Sequence, residues 1–330
     1  MPRGLVTGRQ MTRLILTVAM VTFLMMLIQV VISRRALLHR MTRGTKQLLQ
    51  HSTHTNNNNH DMEEELLKQG WTNTTDPHLL KWLKETDGGG RVFQTSLRPY
   101  NVTDHNYGNF KDSVVFKFYE KHITKLLSNK VGGFFVEAGA LDGYILSNTL
   151  ALERFRAWSG LLVEPRPDMF QQLLQKQRKS FAARFCLAEK PYLYKTKFWL
   201  SPDFVKDNIA FGAVGSRVYD KVQADERESG SLVNVLCIPL ASLLINLAVT
   251  YVDLFVVDVE GSEWGVLDNF PFHQITVDML AVERKDKGQE DRKAFIKMVR
   301  SKGFGLLDNL KEDYIFVRKT AEFIVLEDEP

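Results

Sequence analysis

Carboxylates follow three apolar segments of the chain, each at the point where a buried strand is predicted to end. Glu137 ends the first segment, Glu164 ends the second, and the third delivers Asp258, Glu260 and Glu263 close together. Ligands of open α/β sheets bind outside the carboxyl ends of the strands, so these acids are predicted to meet at one sheet edge. One such acid alone is better explained as a helix cap or a solvated loop residue. Three in one series favour a binding site.

A glycine turn follows the first of these strands. Gly139 and Gly143 can adopt the left-handed backbone that brings a chain close to a ligand, and the next helix would present free N–H groups to it. The dinucleotide fingerprint needs a third glycine at fixed spacing, and Ala140 and Asp142 stand in the intervening places. The fingerprint is therefore broken, and a turn of this kind taken alone more often only reverses the chain.

The residues after the turn leave two interpretations open. Ser147 and Asn148 either cap the following helix or contact a ligand. Glu164 comes about 20 residues after the turn, where an acid would reach a pair of ribose hydroxyls. His273 is the only histidine after Lys130, which argues against Ser-His-Asp and Cys-His hydrolysis.

Three segments together resemble the FkbM-type family of S-adenosylmethionine-dependent methyltransferases. They are VEAGALDG at 136–143, LLVEPRPDMF at 161–170 and VDLFVVDVEGSEWGVL at 252–267. The stretch EAGALDGYILSNT, followed by LERF and WSGLLVEP, resembles the membrane-anchored Star-like branch more closely still. The similarity covers roughly residues 114–319.

The resemblance implies S-adenosyl-L-methionine as the cofactor and O-methyl transfer to an unknown hydroxyl acceptor. Glu164 would hold the ribose hydroxyls, while Asp258 and Glu260 would face the methionine end or the acceptor as candidate catalytic bases. The whole donor-binding set is Glu137, Gly139, Ala140, Asp142, Gly143, Ser147, Asn148 and Glu164. No metal site is predicted.

Two alternatives to an enzyme remain. Star-like relatives are understood to assist the trafficking of membrane cargo, such as growth-factor precursors, from the endoplasmic reticulum to the Golgi and endosomes, without need of catalysis. A nucleotide-binding structural domain is less well supported, because no phosphate-cradling glycine-lysine loop occurs.

An apolar segment, Leu14–Ile32, is long enough to span a bilayer core. It is too long for the apolar part of a signal peptide and lacks an obvious small-residue cleavage site, so we expect an uncleaved anchor that contacts the lipid bilayer. A mitochondrial presequence is the alternative for this acid-free, Arg-bearing start. The predicted divisions are a basic tail (1–13), an anchor (14–32), a polar stem with a docking helix (33–112), a methyltransferase-like domain (113–319) and a C-terminal tail (320–330).

Two sequence signals predict opposite membrane orientations. Basic residues on both sides of the span are denser after it, which by the positive-inside rule favours a cytoplasmic domain. Two glycosylation sequons in the stem, at Asn73 and Asn101, favour a luminal domain. We expect the luminal orientation, in a single-pass type II protein of the secretory pathway (endoplasmic reticulum, Golgi or endosome).

The net charge of +4 belongs to the tail rather than to a nucleic-acid-binding face. Residues 1–50 contain eight Lys or Arg and no acid, so the rest of the chain is net negative. No nucleic-acid partner is therefore expected.

Cys186 and Cys237 lie in apolar runs and are interpreted as buried free thiols, although a luminal location would permit a disulfide.

Strands alternate with helices, which predicts an α/β fold: a Rossmann-like, doubly wound, mostly parallel sheet with a C-terminal antiparallel hairpin. The first domain helix is expected at Val114–Leu127. A long polar loop is expected at Ser201–Gly230. The expected strands are Phe134–Glu137, Leu161–Glu164, Phe181–Leu187, Tyr192–Leu200, Leu232–Ile238, Tyr251–Glu260, Thr276–Glu283, Phe304–Leu307 and Tyr314–Arg318.

Overall fold

The computed structural model describes residues 56–69, 74–94, 96–102, 114–127, 130–202, 205–206, 209–210 and 215–321. The predicted membrane anchor at 14–32 and the sequon residue Asn73 lie outside these ranges. Within them, no helix is both long and apolar enough to cross a bilayer. Residues Asn59–Pro330 form one compact unit.

The strands of the described residues form one large sheet, one small sheet and a short hairpin. In chain order they are β1 (Val92–Phe93), β2 (Phe134–Ala138), β3 (Ser159–Val163), β4 (Phe181–Ala183), β5 (Cys186–Leu187), β6 (Tyr194–Leu200), β7 (Val205–Lys206), β8 (Ile209–Ala210), β9 (Arg217–Val218), β10 (Ser231–Ile238), β11 (Tyr251–Val257), β12 (Thr276–Glu283), β13 (Phe304–Leu310) and β14 (Asp313–Arg318).

The large sheet has the strand order β1-β4-β3-β2-β11-β12-β14-β13. Its five inner strands from β4 to β12 run parallel. An antiparallel strand, β1, adds one edge, and the β13–β14 hairpin adds the other. The predicted mostly parallel sheet with a C-terminal hairpin is confirmed by this topology.

Helices pack on both faces of this sheet. They are α1 (Asn56–Gln69), α2 (Pro77–Gly90), α3 (Val114–Leu127), α4 (Leu150–Arg156), α5 (Pro167–Gln175), α6 (Leu240–Asn246), α7 (Glu263–Asn269) and α8 (Gln289–Ser301). Successive strand residues point to opposite faces: Val136 belongs to one buried apolar cluster, and its neighbour Phe135 belongs to the other. A sheet buried on both faces explains why its central strands read as continuous apolar runs.

The α2 helix shows how local sequence sets an element's ends. Asp76 caps its start, because its carboxylate accepts hydrogen bonds from the amides of His78 and Leu79. Near the other end, Asp87, Gly88 and Gly89 have left-handed backbone angles, so the regular helical backbone is interrupted from Asp87 onward. Trp82 is fully buried in the core of the large sheet.

The prediction of one strand at Phe181–Leu187 is wrong. The chain leaves the large sheet after Ala183, and Phe185 turns into the core beside Trp82. Cys186 and Leu187 then pair in a second sheet of order β5-β10-β6-β9. The predicted strands near 192–200 and 232–238 belong to this second sheet, and part of the expected loop at 201–230 supplies its edge strand β9.

The interpretation of the two cysteines as free thiols is also wrong. Cys186 and Cys237 are direct neighbours in the parallel pairing of β5 with β10, and they form a disulfide. The sequence of either apolar run alone cannot reveal this pairing, because the two cysteines are 51 residues apart in the chain. The disulfide links β5, the first strand after the chain leaves the large sheet, to β10 in the interior of the second sheet.

Reduction of this disulfide is expected to lower the free energy of unfolding by about 3 kcal/mol, because it closes a long loop in the unfolded chain. Urea unfolding of the oxidised and the reduced protein measures the difference. The double variant Cys186→Ala/Cys237→Ala serves as control and should not respond to reductant. Two thiols titrating in unreduced, denatured protein would contradict the assignment.

Candidate functional site

A cleft opens at the carboxyl ends of the parallel strands β2, β3 and β11. It encloses about 1040 Å³, part of which is continuous with solvent, and ligand pockets commonly enclose about 300–1,000 Å³. The predicted site residues that line it are Glu137, Gly139, Ala140, Asn148, Glu164, Asp258 and Glu260. The other three, Asp142, Gly143 and Ser147, support the wall from behind.

The carboxylate of Glu137 is turned toward the protein rather than left for a ligand. It accepts hydrogen bonds from the Ser147 hydroxyl (2.9 Å), the Asn148 amide (2.8 Å) and the Thr149 hydroxyl (2.5 Å). Burial raises the pKa of Glu137, and the charge of Arg178 opposes that rise. Glu137 therefore fixes the segment after the glycine turn, and this explains why α4 begins at Leu150 rather than at Ser147.

A buried arginine completes this network. Arg178 donates to the Gly143 carbonyl oxygen (2.5 Å), the Thr149 hydroxyl (3.1 Å) and the Glu153 carboxylate (3.1 Å). Its side chain is almost wholly buried, so the two nearby carboxylates of Glu137 and Glu153 are needed to balance its charge. Nothing in the local sequence around Arg178 distinguishes it from a solvated lysine or arginine.

The glycine turn itself is held by main-chain contacts. Gly139 has a φ of +85°, and a Cβ atom there would lie 2.0 Å from the Asp258 carbonyl oxygen. Asp142 accepts hydrogen bonds from the Tyr144 and Ile145 amides and pairs with Lys176 at 3.0 Å. The turn thus approaches the end of β11 so closely that only glycine fits.

Glu164 presents its carboxylate at the cleft wall. One oxygen accepts the Leu141 amide (2.9 Å) and the other accepts the Arg166 amide (2.8 Å). A carboxylate offers about four acceptor positions, so two of them are left for a ligand. Burial raises the pKa of Glu164 to about 8, against the lowering effect of the two amides.

Several acids gather at the other end of the cleft. Asp258, Glu260 and Glu283 line it. Burial, and then the charge of Glu283, raises the pKa of Asp258 well above its usual range. Burial, and then the charge of Asp313, raises the pKa of Glu283 to about 7. Carboxyls that titrate near neutrality can exchange a proton with a bound group.

Glu263, the third acid of its segment, supports this end of the cleft. Its carboxylate accepts hydrogen bonds from the amides of Val259 (3.2 Å) and Gly261 (2.8 Å). Burial raises its pKa to about 7. The bonds hold the turn in which Glu260 has a left-handed backbone, with a φ of +53°, and so direct Glu260 into the cleft.

Sequence reasoning missed two parts of the lining. Glu283 ends β12, Glu137 lies one residue before the end of β2 and Glu164 follows β3, so the same strand-end rule would have found Glu283. The opposite wall comes from the second sheet and the residues leading to it, including Phe185, Leu187 and Phe198. No local signal marks that wall, because it depends on long-range pairing.

Five parallel strands wound with helices and a ligand-sized cleft at their carboxyl edge define an α/β, Rossmann-like protein with a mixed sheet. A family model described as "Methyltransferase FkbM domain" matches residues 137–306, just over half of the chain. The chain belongs to this family, whose members are methyltransferase-like proteins. The family implies a cofactor of the S-adenosylmethionine type.

Comparisons with solved structures find distant similarity. A methyltransferase from Pyrococcus furiosus is 10% identical with a TM-score of 0.33, over 72% of this chain and 96% of that one. A TehB-like SAM-dependent methyltransferase from Corynebacterium glutamicum is 11% identical with a TM-score of 0.30, over 63% and 89%. No curated protein sequence matches the chain.

Gly139→Ala is expected to destabilise the protein more than Gly132→Ala. Gly132 also has a positive φ, +77°, but a Cβ atom there meets nothing within 4 Å, so its substitution should cost only the backbone strain of about 1–2 kcal/mol. At Gly139 the clash with the Asp258 carbonyl should add about 1–3 kcal/mol. Urea unfolding of both variants gives the comparison, and equal losses would refute the close approach of the two strands.

Proposed function

We propose that the protein is a membrane-anchored, S-adenosylmethionine-dependent O-methyltransferase of the Star-like branch, with an unknown hydroxyl acceptor. Glu164 carries the proposal. Its carboxylate stands at the carboxyl end of β3, lines the cleft and retains acceptor positions for the two ribose hydroxyls of the donor.

The lining of the cleft fits such a donor. Val163 and Pro165, the chain neighbours of Glu164, and Leu187 give the cleft an apolar lining that suits the flat face of a base. Toward the other end, the carboxyl groups of Asp258 and Glu260 line the cleft, and a sulfonium cation held there would favour their ionised forms. The backbone at Gly139 and Ala140 lies between these two regions and would face the amino-acid part.

The donor supplies an activated methyl group, and this chain would position the acceptor and take its proton. Methyl transfer is an in-line displacement that depends mainly on alignment. The acceptor oxygen loses a proton when it gains the methyl group, so a base must stand near it. Asp258 and Glu260 are the candidate bases, because burial raises the pKa of each carboxyl toward the range where it can take a proton.

Glu164→Gln is expected to weaken the binding of S-adenosylmethionine by about tenfold or more, the effect of losing a hydrogen bond to a charged group. Glu164→Ala should abolish it. Ionised Glu164 is the better acceptor, and its pKa is about 8, so wild-type affinity should fall as pH falls from 8.5 to 6. Calorimetry on the full-length chain measures both effects.

The matched control for this experiment is Glu228→Gln, an exposed acid outside the cleft. It should bind the donor as the wild type does and keep the same pH dependence. Unchanged affinity in folded Glu164→Ala, checked by circular dichroism, would remove the donor-site assignment. No donor binding by the wild type would leave only the non-catalytic function.

That second function is a non-catalytic role in the trafficking of membrane cargo through the secretory pathway. The Cys186–Cys237 disulfide favours it, since disulfides persist in oxidising compartments. The sequon residue Asn101 is exposed and thus accessible for modification. S-adenosylmethionine is made in the cytosol, so a luminal domain would depend on imported donor.

A luminal domain predicts that Asn101 carries a glycan. Digestion with an endoglycosidase should increase the gel mobility of the full-length protein made in cells, and Asn101→Gln should reduce that shift. Asn73→Gln tests the other sequon in the same way. If the endoglycosidase leaves the gel mobility of the wild type and of both variants unchanged, the luminal expectation is contradicted. A cytosolic domain would have direct access to the donor.

A further inference from the structure

A second cavity is lined by residues next to β1 and β4 of the large sheet and by residues of β6 and β10 of the second sheet. It encloses about 450 Å³, part of it open to solvent. Pro165 lines this cavity as well as the cleft. The polar residues that line the second cavity are Arg91, Arg184, Lys195 and Asn234. We call this cavity the basic pocket.

The cations of the basic pocket outnumber the acids that neutralise them. Arg91 pairs with Glu63 at 2.8 Å and also donates to the Gly88 carbonyl oxygen. Arg184 is half-buried, yet no side chain or carbonyl among the described residues accepts a hydrogen bond from its guanidinium. Lys195 is exposed at the rim and has no carboxylate partner within that same part of the chain. Among the described residues, Arg184 and Lys195 therefore have no carboxylate partner.

Regular structure holds these cations in place. The Arg184 amide donates to the Arg91 carbonyl oxygen at 2.8 Å, beside the antiparallel pairing of β1 with β4. Lys195 lies directly opposite Leu236 in the β6–β10 pair. In that pair Asn234 shares the face of Leu236, since side chains alternate along a strand. Two strands, β6 and β10, and the residues next to β1 and β4 thus bring the four polar groups to one cavity.

This arrangement is unfavourable without an anion. Arg184 is half-buried beside Arg91 in the same cavity, and burial, and then the charge of Arg91, lowers the pKa of Arg184. An ordinary surface arginine would extend its head group into water. Two guanidinium groups and an ammonium around one cavity match the oxygens of a phosphate or sulfate group, which guanidinium binds in a bidentate manner.

We propose that the basic pocket binds a phosphate or sulfate group, either as the free ion or on a small molecule such as a sugar. The pocket is larger than one such ion needs, and its apolar side, formed by Pro167 and Val235, could contact the rest of a larger ligand. S-adenosylmethionine carries no phosphate or sulfate group, so this site is separate from the donor cleft and does not depend on the proposed methyl transfer.

The test is calorimetric titration of the full-length chain with inorganic phosphate, inorganic sulfate and glucose 6-phosphate, with glucose as the uncharged control. Arg184→Gln is expected to weaken the binding of the charged probes by about tenfold or more, because it removes charge-assisted hydrogen bonds. Arg156→Gln is the matched control: Arg156 is exposed at the end of α4, outside the pocket. It should bind like the wild type.

Each outcome decides the proposal. Binding of the inorganic ions as tightly as glucose 6-phosphate assigns the pocket to a free ion, whereas tighter binding of the sugar phosphate assigns it to a phosphorylated small molecule. No binding by the wild type at millimolar concentrations overturns the proposal, as does equal loss in Arg184→Gln and Arg156→Gln. Thermal unfolding confirms that each variant is folded, and Lys195→Gln provides a second variant with the same expected direction.

Discussion

The buried carboxylate of Glu137 is the contact on which the cleft depends. It comes directly from the central strand β2, and it takes three hydrogen bonds from consecutive residues, Ser147 to Thr149. Arg178 lies against the same group and reaches back to the carbonyl of Gly143. Loss of the carboxylate would leave a buried guanidinium short of its counter-charge, which is more damaging than loss of a surface pair. The loop between strand and helix would then lose its anchor.

Ionisation of the acids at the far end of the cleft lowers the stability of the fold, although a base in the site must be ionised to take a proton. Glu263 and Glu283 each have a pKa raised to about 7, mainly by burial. In the unfolded chain they would ionise at much lower pH, so between those values the folded state binds more protons. The contribution of these two carboxyls to the free energy of unfolding therefore falls as pH rises toward 7. A cationic group held near Asp258 would offset this loss, which links ligand binding to the stability of the sheet edge.

The sequence predicts the large sheet well because each parallel strand is a continuous apolar run with a polar residue at its end. That pattern also located the acids Glu164 and Asp258 at one edge. It could not show that Glu137 faces inward, since a side chain's direction depends on partners such as Thr149 and Arg178. It missed the second sheet for a similar reason: β5 is two residues long, and its pairing with β10 joins segments far apart in the chain.

The second sheet matters because it supplies the wall facing Glu164. Arg166, two residues further on, donates to the Ser201 carbonyl oxygen (3.2 Å) and to the Ser216 hydroxyl (3.0 Å), both beside the second sheet's strands. Those bonds come from the Arg166 guanidinium, and the main-chain amide of Arg166 holds the Glu164 carboxylate. The short segment Glu164–Arg166 therefore holds the Glu164 carboxylate and also contacts the opposite wall of the cleft. Since the Cys186–Cys237 bond fastens that wall, the width of the cleft depends on contacts that no single strand encodes.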